Sequence, residues 1–177
     1  MAVGVSSAAS GQAIISNGTI TMGINSLGHL NIPGGAAVFG TTTVGLRFTN
    51  GAGTTYESTS HGCECEGWGV GISGGVYDGV RGFANDAVGI SNLTLSSFVS
   101  DATSATSVVT VKSAGVDILK VTHLYRPSAV AGLYEVVVTI ENVSGVAVGT
   151  GAAGIRYRRN MDWDIDPTHF SERVSLA

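Results

Sequence analysis

The sequence predicts an all-β protein, an antiparallel β-sandwich of roughly nine or ten strands. Three observations lead there. Apolar residues recur at every second position in short runs, the period of a strand whose successive side chains point to opposite faces. Clusters of Gly, Asn, Ser and Pro bound those runs, and these residues turn a chain. Helical periodicity is almost absent, so the crossovers of about a dozen residues that parallel strands need are missing. No internal repeat stands out at propeller or solenoid spacing. At 177 residues the chain fits a single domain spanning 1–177.

Ile14-Ile15 leads into Ser16-Asn17-Gly18. Asn-Gly between apolar runs is a strong hairpin signal, because both residues tolerate positive φ. The returning strand, Thr19 to Asn25, places Ile20, Met22 and Ile24 on one face. Leu27 to Ile32 follows, and Pro33-Gly34-Gly35 ends this meander. Val44, Leu46 and Phe48 mark another strand, closed by Asn50-Gly51-Ala52-Gly53. From Thr54 to Asn85 glycines are dense, and short strands joined by loops are expected. Gly69-Val70-Gly71 and Gly71-Ile72-Ser73-Gly74-Gly75 read as turns. Neither has the Gly-Lys-Ser/Thr ending and following helix of a phosphate loop. Further strands are expected at Val88 to Val99, Ser107 to Lys112, Val116 to Tyr125 and Leu133 to Glu141. Asn142 to Gly154 reads as a connection.

The segment Gly154 to Pro167, G-I-R-Y-R-R-N-M-D-W-D-I-D-P, organises the rest. Read as a strand, it puts Ile155, Tyr157, Met161, Trp163 and Ile165 on a core face. Arg156, Arg158, Asn160, Asp162, Asp164 and Asp166 share the other face, and Arg159 alone breaks the alternation. Phe170, Val174 and Leu176 begin what reads as another strand. A sandwich ending there exposes an edge, and open edges pair with other chains. The expectation is either a fragment, or a last segment that pairs within or between copies.

Charged residues make up only 12% of the chain, about half the ~25% of a soluble domain. From Met1 to Tyr56 the one charged residue is Arg47. A surface this neutral repels copies of itself weakly, which favours self-association through β-edges. Net charge is −4 and no basic run occurs, which argues against nucleic acid. No apolar run reaches the ~18 residues of a membrane span. The first residues lack the charged region and long apolar stretch of an intact signal peptide, so an exported form has already lost its signal. Abundant Gly, Ser and Thr, two lysines and one close cysteine pair point to an extracellular or cell-surface setting.

Asp162, Asp164 and Asp166 are the candidate metal ligands, since hard carboxylate oxygens suit Ca²⁺. The plainer alternative is a solvated face, or ion pairs with Arg156, Arg158 and Arg126. Their spacing also falls within the ~5–9.5 Å between glycosidase carboxyl groups, but any strand offers that, and no enzyme is expected. Cys63 and Cys65 form C-x-C, where a disulfide needs a bend that Gly62 and Gly67 allow. Free thiols, or a metal shared with His61, are the alternatives. His29, His123 and His169 read as structural or surface histidines. No G-x-S-x-G hydrolase elbow is present. Trp68, in a glycine-rich loop, is a candidate platform for stacking a sugar ring.

Four stretches carry a resemblance: Asn17 to Asn31 (N-G-T-I-T-M-G-I-N-S-L-G-H-L-N), Cys63 to Val70 (C-E-C-E-G-W-G-V), Tyr134 to Gly145 (Y-E-V-V-V-T-I-E-N-V-S-G) and Arg156 to Thr168 (R-Y-R-R-N-M-D-W-D-I-D-P-T). In this order they resemble bacterial exported proteins of the PEP-CTERM-associated type. The resemblance implies a β-rich secreted or surface protein of the cell envelope or an exopolysaccharide matrix, with no assigned catalytic chemistry. The C-terminal Pro-Glu-Pro sorting signal of that group is absent from this sequence. The functional expectation is a non-enzymatic extracellular structural protein that self-assembles or decorates a surface or matrix assembly such as a filament. The alternatives are a carbohydrate-binding module of the exopolysaccharide matrix and a carboxylate-dependent glycoside hydrolase.

Overall fold

The computed structural model describes residues 11–171, apart from 63, 64, 86 and 153. It is all-β and antiparallel, with no helix among the described residues. Among the described residues twelve strands are present rather than nine or ten: β1 (Gln12–Ser16), β2 (Ile20–Asn25), β3 (Leu46–Thr49), β4 (Thr55–Glu57), β5 (Gly67–Ile72), β6 (Arg81–Asn85), β7 (Gly89–Ser91), β8 (Leu93–Ser100), β9 (Ala105–Ser113), β10 (Val116–Pro127), β11 (Tyr134–Asn142) and β12 (Ile155–Asn160). They form three four-stranded sheets, ordered β1-β2-β3-β4, β11-β10-β9-β8 and β12-β5-β6-β7. The extra strands come from the glycine-dense stretch and from a break at Asn92, which splits the expected Val88–Val99 run into β7 and β8.

The hairpin read from Asn17-Gly18 is present. β1 and β2 pair from Gln12↔Asn25 to Ser16↔Thr21. Gly18 takes φ 91°, and Asn17 Oδ1 accepts the Thr19 and Ile20 N–H groups at 3.1 and 2.8 Å. Between β9 and β10, Ala114 and Gly115 both have positive φ, as a two-residue turn between twisted strands requires.

One face of the β8–β11 sheet carries two cores. Val109, Val111, Ile118, Leu119 and Val121 pack with Trp68, Val70, Ile72 and Ala84 of the β12-β5-β6-β7 sheet. Phe98, Ala105 and Tyr125 pack with Ile15, Met22, Ile24 and Leu30 from the β1–β4 side. The strand positions explain the division. β9 and β10 are long enough for each half to receive its own small sheet.

Within the β1–β4 sheet, across β3 and β4, lies a buried ion pair. Arg47, the lone charge of the first 56 residues, donates from Nε to Glu57 Oε2 at 2.9 Å. The Glu57 carboxylate also accepts backbone N–H bonds from Gly45, Leu46, Ser58 and Thr59 at 3.0–3.1 Å. A Cβ on Gly45 would lie 2.1 Å from Thr59 Oγ1 and 2.2 Å from Asn31 Oδ1, so only glycine lets this polar cluster close on the backbone.

Candidate functional site

Strand β5 reads G-W-G-V-G-I, and its glycines occupy every second position. They are strand residues, not the turn expected at Gly69-Val70-Gly71. Trp68, Val70 and Ile72 turn inward, leaving Gly69 and Gly71 as the bare outer face, with Gly67 buried at its end. Pairing with β12 on one side and β6 on the other sets three rows across the sheet. These are Arg156–Gly71–Arg81, Arg158–Gly69–Phe83 and Asn160–Gly67–Asn85. The outer face is therefore a trough with a glycine floor and tall side chains on both walls. Two adjoining grooves lie along it and share Gly69, Phe83 and Arg158.

Arg81, Arg156 and Arg158 are exposed. None of the three is ion-paired among the described residues; the surface pairs there are Lys112–Asp117, Lys120–Glu141 and Arg126–Glu135. An unpaired arginine presents five donors in a fork suited to carboxylates. Three of them beside half-buried Phe83, over backbone with no side chains in the way, form a cationic surface with one aromatic face. Charge and hydrogen-bond donors dominate, and no nucleophile or acid–base pair stands in the trough among the described residues.

The inward side chains of β12 fix this wall. Arg159 pairs with Trp68 across the β12–β5 ladder, so it shares the buried face. The residue that breaks the alternation in chemical type thus keeps it in geometry. Arg159 Nη2 lies 2.6 Å from Glu66 Oε1, and Nη1 donates to the Tyr125 hydroxyl at 2.8 Å. The Leu30 N–H donates to Glu66 Oε2 at 2.5 Å, and the Tyr125 hydroxyl to the Gly28 carbonyl at 2.8 Å. Tyr157 meets His123 Nε2 at 3.0 Å, with the Trp68 ring 4.5 Å from the imidazole. Burial, reinforced by the Arg159 cation, lowers the His123 pKa to about 3. Burial likewise pushes the Tyr125 and Tyr157 hydroxyls above their ordinary value. The imidazole is neutral at physiological pH. Gly28 backs onto it: a Cβ there would lie 2.7 Å from His123 Nδ1.

Trp68 is only 2% exposed and its indole Nε1–H donates to the Leu27 carbonyl at 2.8 Å. It is a strand residue of the core, not a loop platform, so its face is not offered to a sugar. The reason is the parity of β5, which gives its large residues to the core and its glycines to solvent.

The acidic half of the C-terminal segment departs from the expected face. β12 ends at Asn160, and beyond it Asp164 and Asp166 are buried while Trp163 and Ile165 are 37% and 42% exposed. The chain has left β5 and taken new partners. Asp164 N–H donates to the Ser58 carbonyl at 3.0 Å and Asp166 N–H to the Glu57 carbonyl at 3.1 Å. Asp166 Oδ2 accepts the Glu57 N–H at 2.9 Å. Its Oδ1 lies 2.9 Å from His61 Nε2 and 3.0 Å from His169 Nδ1. Donors on the 57–61 segment and on His169 make the buried carboxylate tolerable. Asp162 is half-buried and lies along a separate polar groove with Arg158, Asn160 and Cys65. The three aspartates thus do not converge on one point. Arg126, a suggested partner for them, pairs with Glu135 at 2.6 Å instead.

Cys65 is disulfide-bonded; Cys63 lies outside the described residues, as do Val174 and Leu176 of the suggested last strand. His29 and His123 are buried, in keeping with structural histidines. Arg81, Phe83 and the buried Glu66–Arg159 pair escape a reading of the sequence alone. Their signal is the alternation of glycine with large apolar residues in β5, which marks a strand with one bare face. No protein-family model, curated protein or solved structure matches this chain.

Proposed function

We propose that this is a non-enzymatic, extracellular, sandwich-like β-protein of a surface or matrix assembly, which holds an acidic polysaccharide along the glycine-floored trough. The observation that supports it is the pair of rows Arg156–Gly71–Arg81 and Arg158–Gly69–Phe83. A flat backbone floor admits a sugar chain, exposed arginines meet its carboxylates, and Phe83 offers an apolar face to a ring. The Cys65 disulfide supports an oxidising compartment. The exported type suggested by the sequence resemblance accords with this reading.

Titration with polygalacturonate, dextran sulfate, single-stranded DNA and neutral dextran tests it. Polygalacturonate is expected to bind, more weakly as salt is raised, and neutral dextran not to bind. Replacing Arg156 and Arg158 with Ala weakens binding several-fold with no change in the far-ultraviolet spectrum. Binding that ignores both arginines, or a preference for DNA, sinks the proposal.

A second reading, self-association, is favoured by the β8 edge. This strand has eight residues, none charged, and lies at the margin of its sheet with most side chains exposed. The β11 edge carries Glu135 and Glu141, and such charges discourage pairing. Light scattering on wild type and a Leu95→Lys/Val99→Lys variant decides. Oligomers that the variant abolishes support pairing through β8, and a wild-type monomer at high concentration excludes it.

A further inference from the structure

Away from the trough, three metal-ligating side chains converge where the chain beyond β12 meets the loop after β4. His61 Nε2, Asp166 Oδ1 and His169 Nδ1 all lie within 4.8 Å of one another. We propose that these three atoms form a site for a divalent transition-metal ion of the zinc class, which pins the 164–169 segment to the 57–61 loop.

The donor set decides the class of ion. Two imidazole nitrogens and one carboxylate oxygen suit zinc and its neighbours, whereas Ca²⁺ takes about six to eight oxygens. The spacing fits as well. Bonds of ~2.0–2.2 Å in a tetrahedral site hold ligands about 3.3 Å apart. The Asp166–His61 and Asp166–His169 separations, 2.9 and 3.0 Å, need to open only slightly. The site thus differs from an aspartate ladder: of Asp162, Asp164 and Asp166, it uses only the last.

Two further features point to a ligand. His61 has a side chain 9% exposed, and its buried Nε2 makes no hydrogen bond. Its 2.9 Å approach to Asp166 Oδ1 satisfies the distance of an ion pair without the alignment of a hydrogen bond. A buried nitrogen left so is costly, and a cation between the three ligands satisfies it. The carboxylate is also held from behind. Glu57 N–H occupies Asp166 Oδ2, which leaves Oδ1 for the ion, the arrangement that orients ligands in protein metal sites. The imidazoles of His61 and His169 stack with ring centroids 4.4 Å apart and 14° between planes, which sets them side by side against the Asp166 carboxylate. His169, 30% exposed, leaves a path from solvent and room for a fourth ligand.

The test is calorimetric titration of the full, tag-free chain, stripped with EDTA, with ZnCl₂ and separately with CaCl₂. One Zn²⁺ per chain is expected, with no saturable Ca²⁺ heat, and Co²⁺ is expected to give the visible absorption of a tetrahedral centre. His61→Ala and His169→Ala each weaken Zn²⁺ binding by about ten-fold or more. Bound Zn²⁺ raises the unfolding temperature of wild type but not of the double variant. His169 is partly exposed, so His169→Ala retains the fold and keeps the test valid should His61→Ala disturb it. Absence of saturable Zn²⁺ binding, a preference for Ca²⁺, or binding unchanged in the double variant overturns the proposal. Trough binding is independent of this result.

Discussion

The two halves of the C-terminal segment obey the same alternation and reach opposite ends. In residues 155–160 the charged side chains Arg156 and Arg158 face solvent and Tyr157 faces in. In residues 161–166 the polarity inverts: Asp164 and Asp166 are buried and Trp163 and Ile165 are at the surface. The difference lies in the neighbours. β12 runs beside β5, whose inner face is Trp68, Val70 and Ile72 and whose outer face is glycine. An apolar inner face and a bare outer one drive arginines outward. The 161–166 stretch runs beside residues 57–61, which offer backbone N–H and imidazole groups, so carboxylates turn inward. Period fixes which residues share a face, and the partner strand decides which face is buried.

The one inward arginine shows the cost of crossing that division, and its removal has the largest expected effect. Arg159→Ala removes the Arg159 guanidinium from the buried Glu66 carboxylate, and unfolding in urea is expected to show a loss of about 3–5 kcal/mol. Replacing Glu66 and Arg159 together with Met is expected to cost less than the two single changes summed. A cost for Arg159→Ala no greater than that of a surface residue would break the comparison.

Next comes the buried imidazole that β12 covers. The His123 pKa falls from 6.5 to about 3 on folding, so the unfolded chain binds more protons between those values. Stability from this group is therefore present above pH ~6.5 and declines as pH falls toward 3, by up to about 1.4 kcal/mol per pH unit. Denaturation at pH 7 and 4.5 on wild type and His123→Phe measures it. The variant's stability is expected to fall less steeply, and equal slopes would show that His123 is not buried neutral.

The smallest expected effect belongs to the outward arginines. Arg156→Ala and Arg158→Ala change stability by about 0.5 kcal/mol or less, because both residues are exposed and neither is ion-paired among the described residues. A larger loss in chemical denaturation would make them structural rather than ligand-facing.

Much of the fold was legible. Asn17-Gly18 marks its hairpin, and Tyr134, Val136, Val138 and Ile140 mark one face of β11, because turn chemistry and period are local properties. The trough was half legible. Arg156, Arg158 and Asn160 read as one face, but Gly69 and Gly71 read as turns, since glycine signals a bend unless its neighbours across the sheet are known. Glu57 and Arg47, the first two charges in the chain, face each other across β3 and β4, but Glu57 is also held by Asp166, 109 residues away, a contact that no local window contains. Trp68 and Trp163 exchanged their expected places for the same reason.

The most direct test of the trough acts on its floor. A Cβ at Gly71 would find its nearest neighbour, Arg81 Cβ, at 3.9 Å, ordinary contact, so Gly71→Thr raises the floor without a clash. Co-sedimentation of the wild type and this variant with polygalacturonate is the measurement. Clear loss of binding by Gly71→Thr at unchanged or higher thermal stability is the predicted result. Equal binding by both proteins would contradict a polysaccharide lying on the glycine floor.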